Sequence, residues 1–283
     1  VCGPLHSATV EVDGSVSSQF ITGLLYALPL LPGDSTITLT GKVESRPYID
    51  LTLSALADFG VTARWLDERR LAVPGGQHYR PCSYRVEGDY SQAAFPAVLG
   101  AVCGGVTVTG LRSDSLQGDA AILDILARCG ANFTRTGDEV RFQVAPLRAT
   151  AIDLAACPDL GPILMVLGLF CEGDTVITNA GRLRIKESDR IAAMQEELAK
   201  FGGQVLAKGE TVTVKGLGGA LRAPTQPLNS HNDHRVAMAL SVAAWAAGLP
   251  ALLEDAGAVA KSWPTFFEDM ARGLGTRWQA REE

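Results

Sequence analysis

The sequence lacks several features that mark whole classes of protein. Its six cysteines include no Cys-x-x-Cys pair and, with its four histidines, match no zinc-ligand spacing. The formal net charge of -6 argues against a nucleic-acid binder, which would show a basic excess. The longest apolar run, Val236–Leu253, is interrupted by Ser241, Gly248 and Pro250. It therefore predicts a buried helix followed by a turn and no membrane span.

The composition that remains is typical of a globular protein. Hydrophobic residues make up 47% of the chain and charged residues 20%, which is sufficient for a sizeable core. No signal peptide is recognisable, and most cysteines lie in apolar stretches typical of buried thiols in a reducing compartment. We therefore expect a cytoplasmic protein. Because the chain begins at Val1 without methionine, we also expect it to be incomplete.

Two sets of glycines recur with a period of roughly 70 residues. One set follows apolar helical patterns and the other precedes β-rich or apolar segments: Gly60, Gly130, Gly202 and Gly273, and Gly33, Gly104, Gly173 and Gly248. The pattern in each repeat predicts a βαβαββ unit. The second helix of the unit would have apolar residues at helical spacing and would end at a C-cap glycine. The sequence therefore predicts an α/β fold of three full units and a shorter fourth.

Polar residues begin every predicted helix, and for most of them an ordinary N-cap is a sufficient explanation. Some basic residues need another explanation. A helix would place Lys186 and Arg190 on one face, with Glu187 beside them. Arg235 and Lys261 hold matching places in the next unit. Cations oppose the dipole at a helix N-terminus, so their placement indicates a bound anion such as phosphate or carboxylate.

Seven motifs at these positions resemble, in order, those of the 5-enolpyruvylshikimate-3-phosphate (EPSP) synthase family. They begin at Asp13 (DGSVSSQF), Ser45 (SRPYID), Val86 (VEGDYS), Pro158 (PD), Arg184 (RIKESDR), Asn232 (NDHR) and Ala260 (AKSWP). They extend over nearly the whole chain. The pairing of Lys-Glu-Ser-Asp-Arg with Asn-Asp-His-Arg is the most specific part of the resemblance.

The resemblance implies the enolpyruvyl transferase fold. That fold has two inside-out, α/β barrel-like domains, each of three βαβαββ units, with the substrate cleft between them. Residues 1–80 would be the last unit of an incomplete first domain. Residues 81–283 would form the second domain of three units, and the family's other two units would precede Val1.

The resemblance also implies a reaction in the shikimate pathway of aromatic amino acid biosynthesis. The enolpyruvyl group of phosphoenolpyruvate is transferred to the 5-hydroxyl of shikimate 3-phosphate by addition and then elimination of phosphate. Neither a metal nor an organic cofactor is required. Two carboxylates among cations can transfer the protons that both steps need.

By the family pattern, six of the seven motifs supply named site residues. Asp159 and Glu187 would be the two proton-transfer groups. Shikimate 3-phosphate would be bound by Ser17, Ser18, Gln19, Ser45, Tyr48, Asp159 and Lys186. Phosphoenolpyruvate would be bound by Gln19, Arg190, Arg235 and Lys261.

The chain also departs from the family pattern. Arg182 stands where some members have an asparagine ligand, and Trp263 where Phe or Tyr is frequent. A lysine loop and an arginine clamp of the family would lie upstream of Val1, so we expect no activity from this chain alone. We further expect the apolar sides of its first two helices to bind the missing N-terminal segment or a second copy.

Two alternatives stay open. The chain can be a non-catalytic fragment that binds a ligand or a partner without turnover. It can also be the related enolpyruvyl transferase that acts on UDP-N-acetylglucosamine, which shares the fold but lacks the paired motifs. Under every alternative the expected ligands are small molecules, and neither nucleic acid nor a membrane is an expected partner.

Overall fold

The structure, a computed structural model, describes residues 3–43 and 46–280. The chain divides into two compact units. The first is Val1–Val86 with Leu116–Gly118, and it extends beyond the predicted boundary after residue 80. The second is Glu87–Ser115 with Asp119–Glu283. Both contain helices and mixed sheets, which confirms the predicted α/β class.

The first unit is one βαβαββ motif around its own apolar core. Its elements are β1 (Thr9–Asp13), α1 (Ser18–Ala27), β2 (Ser35–Thr40), α2 (Arg46–Asp58), β3 (Arg64–Trp65) and β4 (Arg70–Val73). The sheet order is β1-β2-β4-β3, with β1 and β2 parallel. Each parallel strand leads into a helix, so the N-termini of α1 and α2 lie at the same sheet edge. The hydroxyls of Thr22 in α1 and Thr52 in α2 are hydrogen-bonded at 2.9 Å.

The second unit contains three sheets and six α-helices among its described residues. The elements are α3 (Tyr90–Cys103), β5 (Thr107–Val108), α4 (Ala121–Arg128), β6 (Asn132–Thr136), β7 (Glu139–Gln143), β8 (Ala151–Asp153), α5 (Gly161–Phe170), β9 (Asp174–Thr178), α6 (Arg190–Lys200), β10 (Gln204–Lys208), β11 (Thr211–Lys215), β12 (Leu228–Asn229), α7 (His234–Ala247), β13 (Leu253–Glu254) and α8 (Phe266–Leu274). The sheet orders are β5-β7-β6, β10-β11-β9-β8 and β12-β13. Strands β8 and β9 are parallel, as are β12 and β13, so the helices after them again begin at shared edges.

Three helices form the centre of the second unit. Helices α3, α5 and α7 pack against one another, and nearly every residue along them is buried. A helix that is apolar on all sides is stable only when it is surrounded by protein, which explains the unbroken apolar run of α5. Gly168 lets α5 approach β11, because a Cβ there would lie 2.9 Å from the Cβ of Val214. Among the described residues, none of the helices combines the length and apolar character that crossing a membrane requires.

Three of the four glycines in the first periodic set end helices as predicted, and the fourth does not. Gly60, Gly130 and Gly202 follow α2, α4 and α6 with φ of 78°, 85° and 86°, the left-handed region that glycine adopts without strain. The prediction for Gly273 is wrong, because it lies inside α8. Gly275 caps that helix instead, with φ of 68°.

Candidate functional site

The predicted site residues of the second unit gather at the starts of its helices. Asp159 lies in a 3₁₀ turn, Pro158–Leu160, that leads into α5. Arg190 is the first residue of α6, and Arg235 is in the first turn of α7. Lys261 ends a 3₁₀ turn before α8. Hydrogen bonds and ion pairs join these side chains to Lys186, Glu187 and Asp233. We call these seven residues the charged cluster: Asp159, Lys186, Glu187, Arg190, Asp233, Arg235 and Lys261.

Arg190 is at the centre of the cluster, and its side chain is fully buried. Its Nε donates to Oδ2 of Asp233 at 2.8 Å, and its Nη2 donates to Oδ1 of the same residue at 3.3 Å. Nη2 also donates to Oε2 of Glu187 at 2.7 Å, and Nη1 donates to Oδ1 of Asp159 at 3.1 Å. The planar guanidinium thus binds three carboxylates from three separate segments, which suits its fixed fork of donors.

Asp159 lies among three cations. Oδ1 is 3.4 Å from Nζ of Lys186 and accepts from Arg190, while Oδ2 accepts from Nη2 of Arg235 at 3.2 Å. Burial raises the pKa of the Asp159 carboxyl, but the charges of Arg235, Lys186 and Arg190 outweigh it and lower the pKa to about 2. Asp159 is therefore ionised at neutral pH and can accept a proton.

Glu187 connects Arg190 to the exposed Lys261. Its Oε1 accepts from Nζ of Lys261 at 2.8 Å. Burial raises the pKa of the Glu187 carboxyl, but the hydrogen bond from Lys261 and the charge of Arg190 outweigh it and lower the pKa to about 2. Loss of the contact with Lys261 would raise this pKa, because it removes one of the groups that stabilise the charged carboxylate.

Two polar groups at the start of α7 have no hydrogen-bond partner among the described residues. Nη1 of Arg235 is buried and makes no hydrogen bond, and neither does the buried Nδ1 of His234. Burial, together with the charge of Arg235, lowers the pKa of His234, so its imidazole is neutral at pH 7. A buried guanidinium N–H without an acceptor is costly, and an anionic ligand would satisfy it.

The prediction that one helical face carries Lys186 and Arg190, with Glu187 beside them, is wrong. Helix α6 begins only at Arg190, because Oδ1 of Asp189 accepts from the backbone N–H of Ile191 and Ala192 and so caps the helix there. The backbone at Lys186 is extended. Glu187 still contacts Arg190 directly, and Lys186 shares Oδ1 of Asp159 with Arg190.

The predicted shikimate 3-phosphate ligands of the first unit lie at two adjacent helix starts. Ser17 caps α1, its Oγ accepting from the backbone N–H of Gln19 at 3.2 Å. Ser18 is buried and Gln19 is exposed in the first turn. Tyr48 is half-buried in the first turn of α2, at the same sheet edge. The predicted ligand Ser45 lies outside the described residues.

Sequence reasoning missed two members of this arrangement. Asp233 was identified only as part of the Asn-Asp-His-Arg motif. It is the N-cap of α7, and its buried carboxylate also binds Arg190. The hydroxyl of Ser188 donates to Oδ2 of Asp233 at 3.1 Å. Both residues lie within the recognised motifs. That position was the only sequence signal for them, because the contacts join residues more than 40 positions apart.

A second group of acidic and histidine side chains lies on and beside α6. Glu196, Glu197 and His231 bring possible metal-ligand atoms within 4.8 Å of one another. The buried Glu197 already accepts from Nζ of Lys200 at 2.8 Å and 2.9 Å, and from the backbone N–H of Asn229 at 2.9 Å. The ammonium group of Lys200 at that carboxylate would compete with a metal ion. The contacts therefore indicate a structural role, in which Glu197 connects α6 to β12.

Comparisons with known proteins give a consistent result. Residues 2–270 match the family model described as EPSP synthase (3-phosphoshikimate 1-carboxyvinyltransferase). A 3-phosphoshikimate 1-carboxyvinyltransferase from Clostridioides difficile is 41% identical over 277 residues, which cover 98% of this chain and 63% of the relative. The enzyme of the same name from Clostridium kluyveri is 42% identical, with 96% and 63% covered.

Solved structures share the fold. An EPSP synthase from Acinetobacter baumannii superposes with a TM-score of 0.80 at 24% identity, covering 95% of this chain and 63% of that one. The enolpyruvyl transferase NikO from Streptomyces tendae gives 0.73 at 20% identity, with 96% and 65% covered. These likenesses confirm the predicted enolpyruvyl transferase fold. The chain spans a little under two thirds of the length of these relatives, and by the family model that matches 2–270 it belongs to the EPSP synthase family.

Proposed function

We propose that this chain binds phosphoenolpyruvate and shikimate 3-phosphate and supplies the proton-transfer groups for enolpyruvyl transfer between them. The observation that carries the proposal is the charged cluster, with four cations around two partly exposed carboxylates and a buried Arg235 N–H that finds no acceptor among the described residues. Phosphate and carboxylate groups are the ligands that such an arrangement recognises.

The cluster suggests separate roles for its members. Arg235 and Lys261 would bind phosphoenolpyruvate, and Lys186 would bind the ring hydroxyls of shikimate 3-phosphate beside Asp159. Arg190 was also predicted to bind phosphoenolpyruvate. Because its side chain is buried and four of its five N–H groups already donate to carboxylates, at most one N–H of Nη1 is left for that contact.

The two carboxylates fit the proton movements of addition and elimination. In the addition, the 5-hydroxyl oxygen bonds to C2 of phosphoenolpyruvate, its proton passes to a base, and an acid protonates the methylene carbon. Asp159, ionised and held by cations, suits the base. Glu187 suits the acid once a bound anion has drawn Lys261 from it. In the elimination, a methyl proton returns to a carboxylate, and the C2–O bond to phosphate breaks.

The first unit carries the other proposed ligands of shikimate 3-phosphate. Ser17 caps α1, Ser18 and Gln19 lie in its first turn, and Tyr48 lies in the first turn of α2. Ser45, which lies outside the described residues, stays a proposed ligand, and free N–H groups at helix starts bind phosphate. The outer side of α1 has a different character. Val16, Phe20, Tyr26 and Leu30 are each about half exposed, which leaves an apolar face. We propose that this face is covered by polypeptide corresponding to the part of the relatives that the chain does not match. Self-association through it is the alternative.

Phosphate release with both substrates tests the proposed reaction. It would be measured for this chain alone and for this chain mixed with the unmatched third of a relative. We expect turnover only in the mixture. A mixture that binds both substrates by calorimetry without releasing phosphate would support the alternative of a ligand-binding polypeptide. Turnover with UDP-N-acetylglucosamine in place of shikimate 3-phosphate would contradict the proposal.

A matched pair of variants connects that activity to the cluster. Arg235→Gln removes a cation with a buried, unpartnered N–H, and we expect phosphoenolpyruvate binding to weaken at least about tenfold. Arg128→Gln removes an arginine from the surface of α4, where it pairs with Asp124 at 3.0 Å, and should leave binding unchanged. Equal effects of the two changes would exclude the charged cluster as the binding site.

The five described cysteines are free thiols, which favours the proposed cytoplasmic location.

A further inference from the structure

Asp233 connects two of the helix starts that form the site. As the N-cap of α7, its Oδ1 accepts from the backbone N–H of Arg235 at 2.9 Å. Its Oδ2 accepts from Nε of Arg190 and from the hydroxyl of Ser188, which belong to α6 and the residues before it. The side chain has no exposed surface, so a substrate in the site has no access to it.

The contact with Arg190 fixes the direction of a rigid group. Asp233 binds the edge of the guanidinium that carries Nε and Nη2, and this bidentate pairing fixes the plane of the group. With that edge fixed, the remaining N–H groups point toward Asp159 and Glu187. An arginine held by one point contact could rotate, and its contacts would no longer fix the positions of both carboxylates.

We propose that Asp233 is the positioning residue of this site, acting through Arg190 to hold Asp159 and Glu187 in the geometry that proton transfer requires. It makes no contact with substrate in this role. The inference rests on the proposed function, because it assigns the positioning of the two proton-transfer groups of that reaction. Displacing reacting groups by about 1 Å can cost as much as a hundredfold in rate, so turnover should depend on Asp233 far more than binding does.

Asp233→Asn is the direct test. The amide oxygen can still cap α7, but the amide nitrogen cannot accept from Arg190, so the change removes the bidentate pairing and keeps the shape. In the preparation that releases phosphate, we expect kcat to fall about 10- to 100-fold while KM for both substrates changes less than about threefold. The control is Asp189→Asn, which changes the N-cap of α6, a residue paired with Arg184 and not with Arg190. It should leave kcat unchanged.

A second measurement reports on positioning without activity. The Nε–H of Arg190 is buried and hydrogen-bonded, so its exchange with solvent, followed by NMR, should be slow in the natural chain. We expect at least about tenfold faster exchange in Asp233→Asn and no change in Asp189→Asn. If the asparagine variant does not fold, Asp233→Glu serves instead, since it keeps the charge but displaces the carboxylate by one methylene.

The outcomes separate the two proposals. Unchanged kcat in a folded variant, a rise in KM alone, or unchanged exchange at Arg190 would each overturn the role of Asp233. Absence of phosphate release from the natural sequence in every preparation would overturn the proposed function. The exchange measurement would then still decide whether Asp233 orients Arg190.

Discussion

Arg190→Met removes the central cation of the charged cluster while roughly preserving the length of the side chain. In the structure this guanidinium makes four hydrogen bonds to three carboxylates, and its side chain is fully buried. Asp159 and Glu187 keep other cations nearby, namely Arg235 and Lys261. Asp233 has no other cationic side chain in hydrogen-bond contact among the described residues, and its carboxylate would stay buried.

The expected loss of stability follows from that buried, unpaired charge. Removing one partner of a buried ion pair typically costs about 3–5 kcal/mol, because the other partner keeps its desolvation penalty. For a unit of this size, a loss of that magnitude corresponds to a decrease in Tm of roughly 6–20 °C. Arg128 gives the contrast. Arg128→Met disrupts the exposed pair with Asp124 and the hydrogen bond to the carbonyl of Ala151, and it should cost about 1–2 kcal/mol.

The double variant Arg190→Met with Asp233→Asn tests whether the unpaired charge of Asp233 causes the loss of stability. With the carboxylate neutralised, no buried charge remains at that point, so we expect the double variant to be more stable than Arg190→Met by about 1–3 kcal/mol. The measurement is urea unfolding followed by circular dichroism for the natural chain, both single variants and the double variant. A loss below about 1 kcal/mol for Arg190→Met, or additive effects of the two changes, would refute the reasoning.

Further predictions concern turnover, binding, acid stability and packing. Glu187→Gln should lower kcat by about two to four orders of magnitude with little effect on binding, and an unchanged kcat would assign Glu187 no proton transfer. Lys261→Gln should weaken phosphoenolpyruvate binding at least about tenfold by calorimetry, and equal affinity would contradict its role. Asp159 and Glu187 have pKa values of about 2 in the fold, below their ordinary 3.8 and 4.5. Their contribution to stability is therefore complete above about pH 5 and decreases as the pH falls toward 2, so acid unfolding that occurs only below this range would contradict it. Gly168→Ala should cost about 1–3 kcal/mol in urea unfolding, because the new Cβ would overlap Val214, and a neutral effect would show that α5 and β11 can separate.

Much of the fold is readable from the sequence because it depends on local rules. Apolar spacing indicates which segments are helices, and a glycine with positive φ ends three of them at a regular interval. The same rules fail where two residues satisfy them equally well. Gly273 and Gly275 are both possible caps for α8, and only the backbone conformation distinguishes them. Ser188 and Asp189 are both N-cap types, and the structure gives that role to Asp189.

Most members of the charged cluster were predictable from the sequence, but their contacts were not. All seven lie in the motifs and six of them were named as candidate site residues, but Asp233 was not. Their partners did not follow from the sequence, because the pairs join residues far apart in the chain. Arg235 and Asp159 are 76 residues apart, and Lys261 and Glu187 are 74 apart. Which carboxylate binds which cation depends on how the repeats pack, and no local pattern encodes that.

The contacts also explain how cations can remain at helix starts, where the dipole disfavours them. Each cation of the cluster pairs with Asp159, Glu187 or Asp233, so the carboxylates supply the negative charge that the helix ends attract. Four cations and three carboxylates leave a net charge of one positive unit on the cluster. In the proposed function, an anionic substrate would replace a carboxylate as the partner of an exposed cation such as Lys261. Loss of the hydrogen bond from Lys261 would raise the pKa of Glu187, so substrate binding itself would prepare Glu187 to carry a proton.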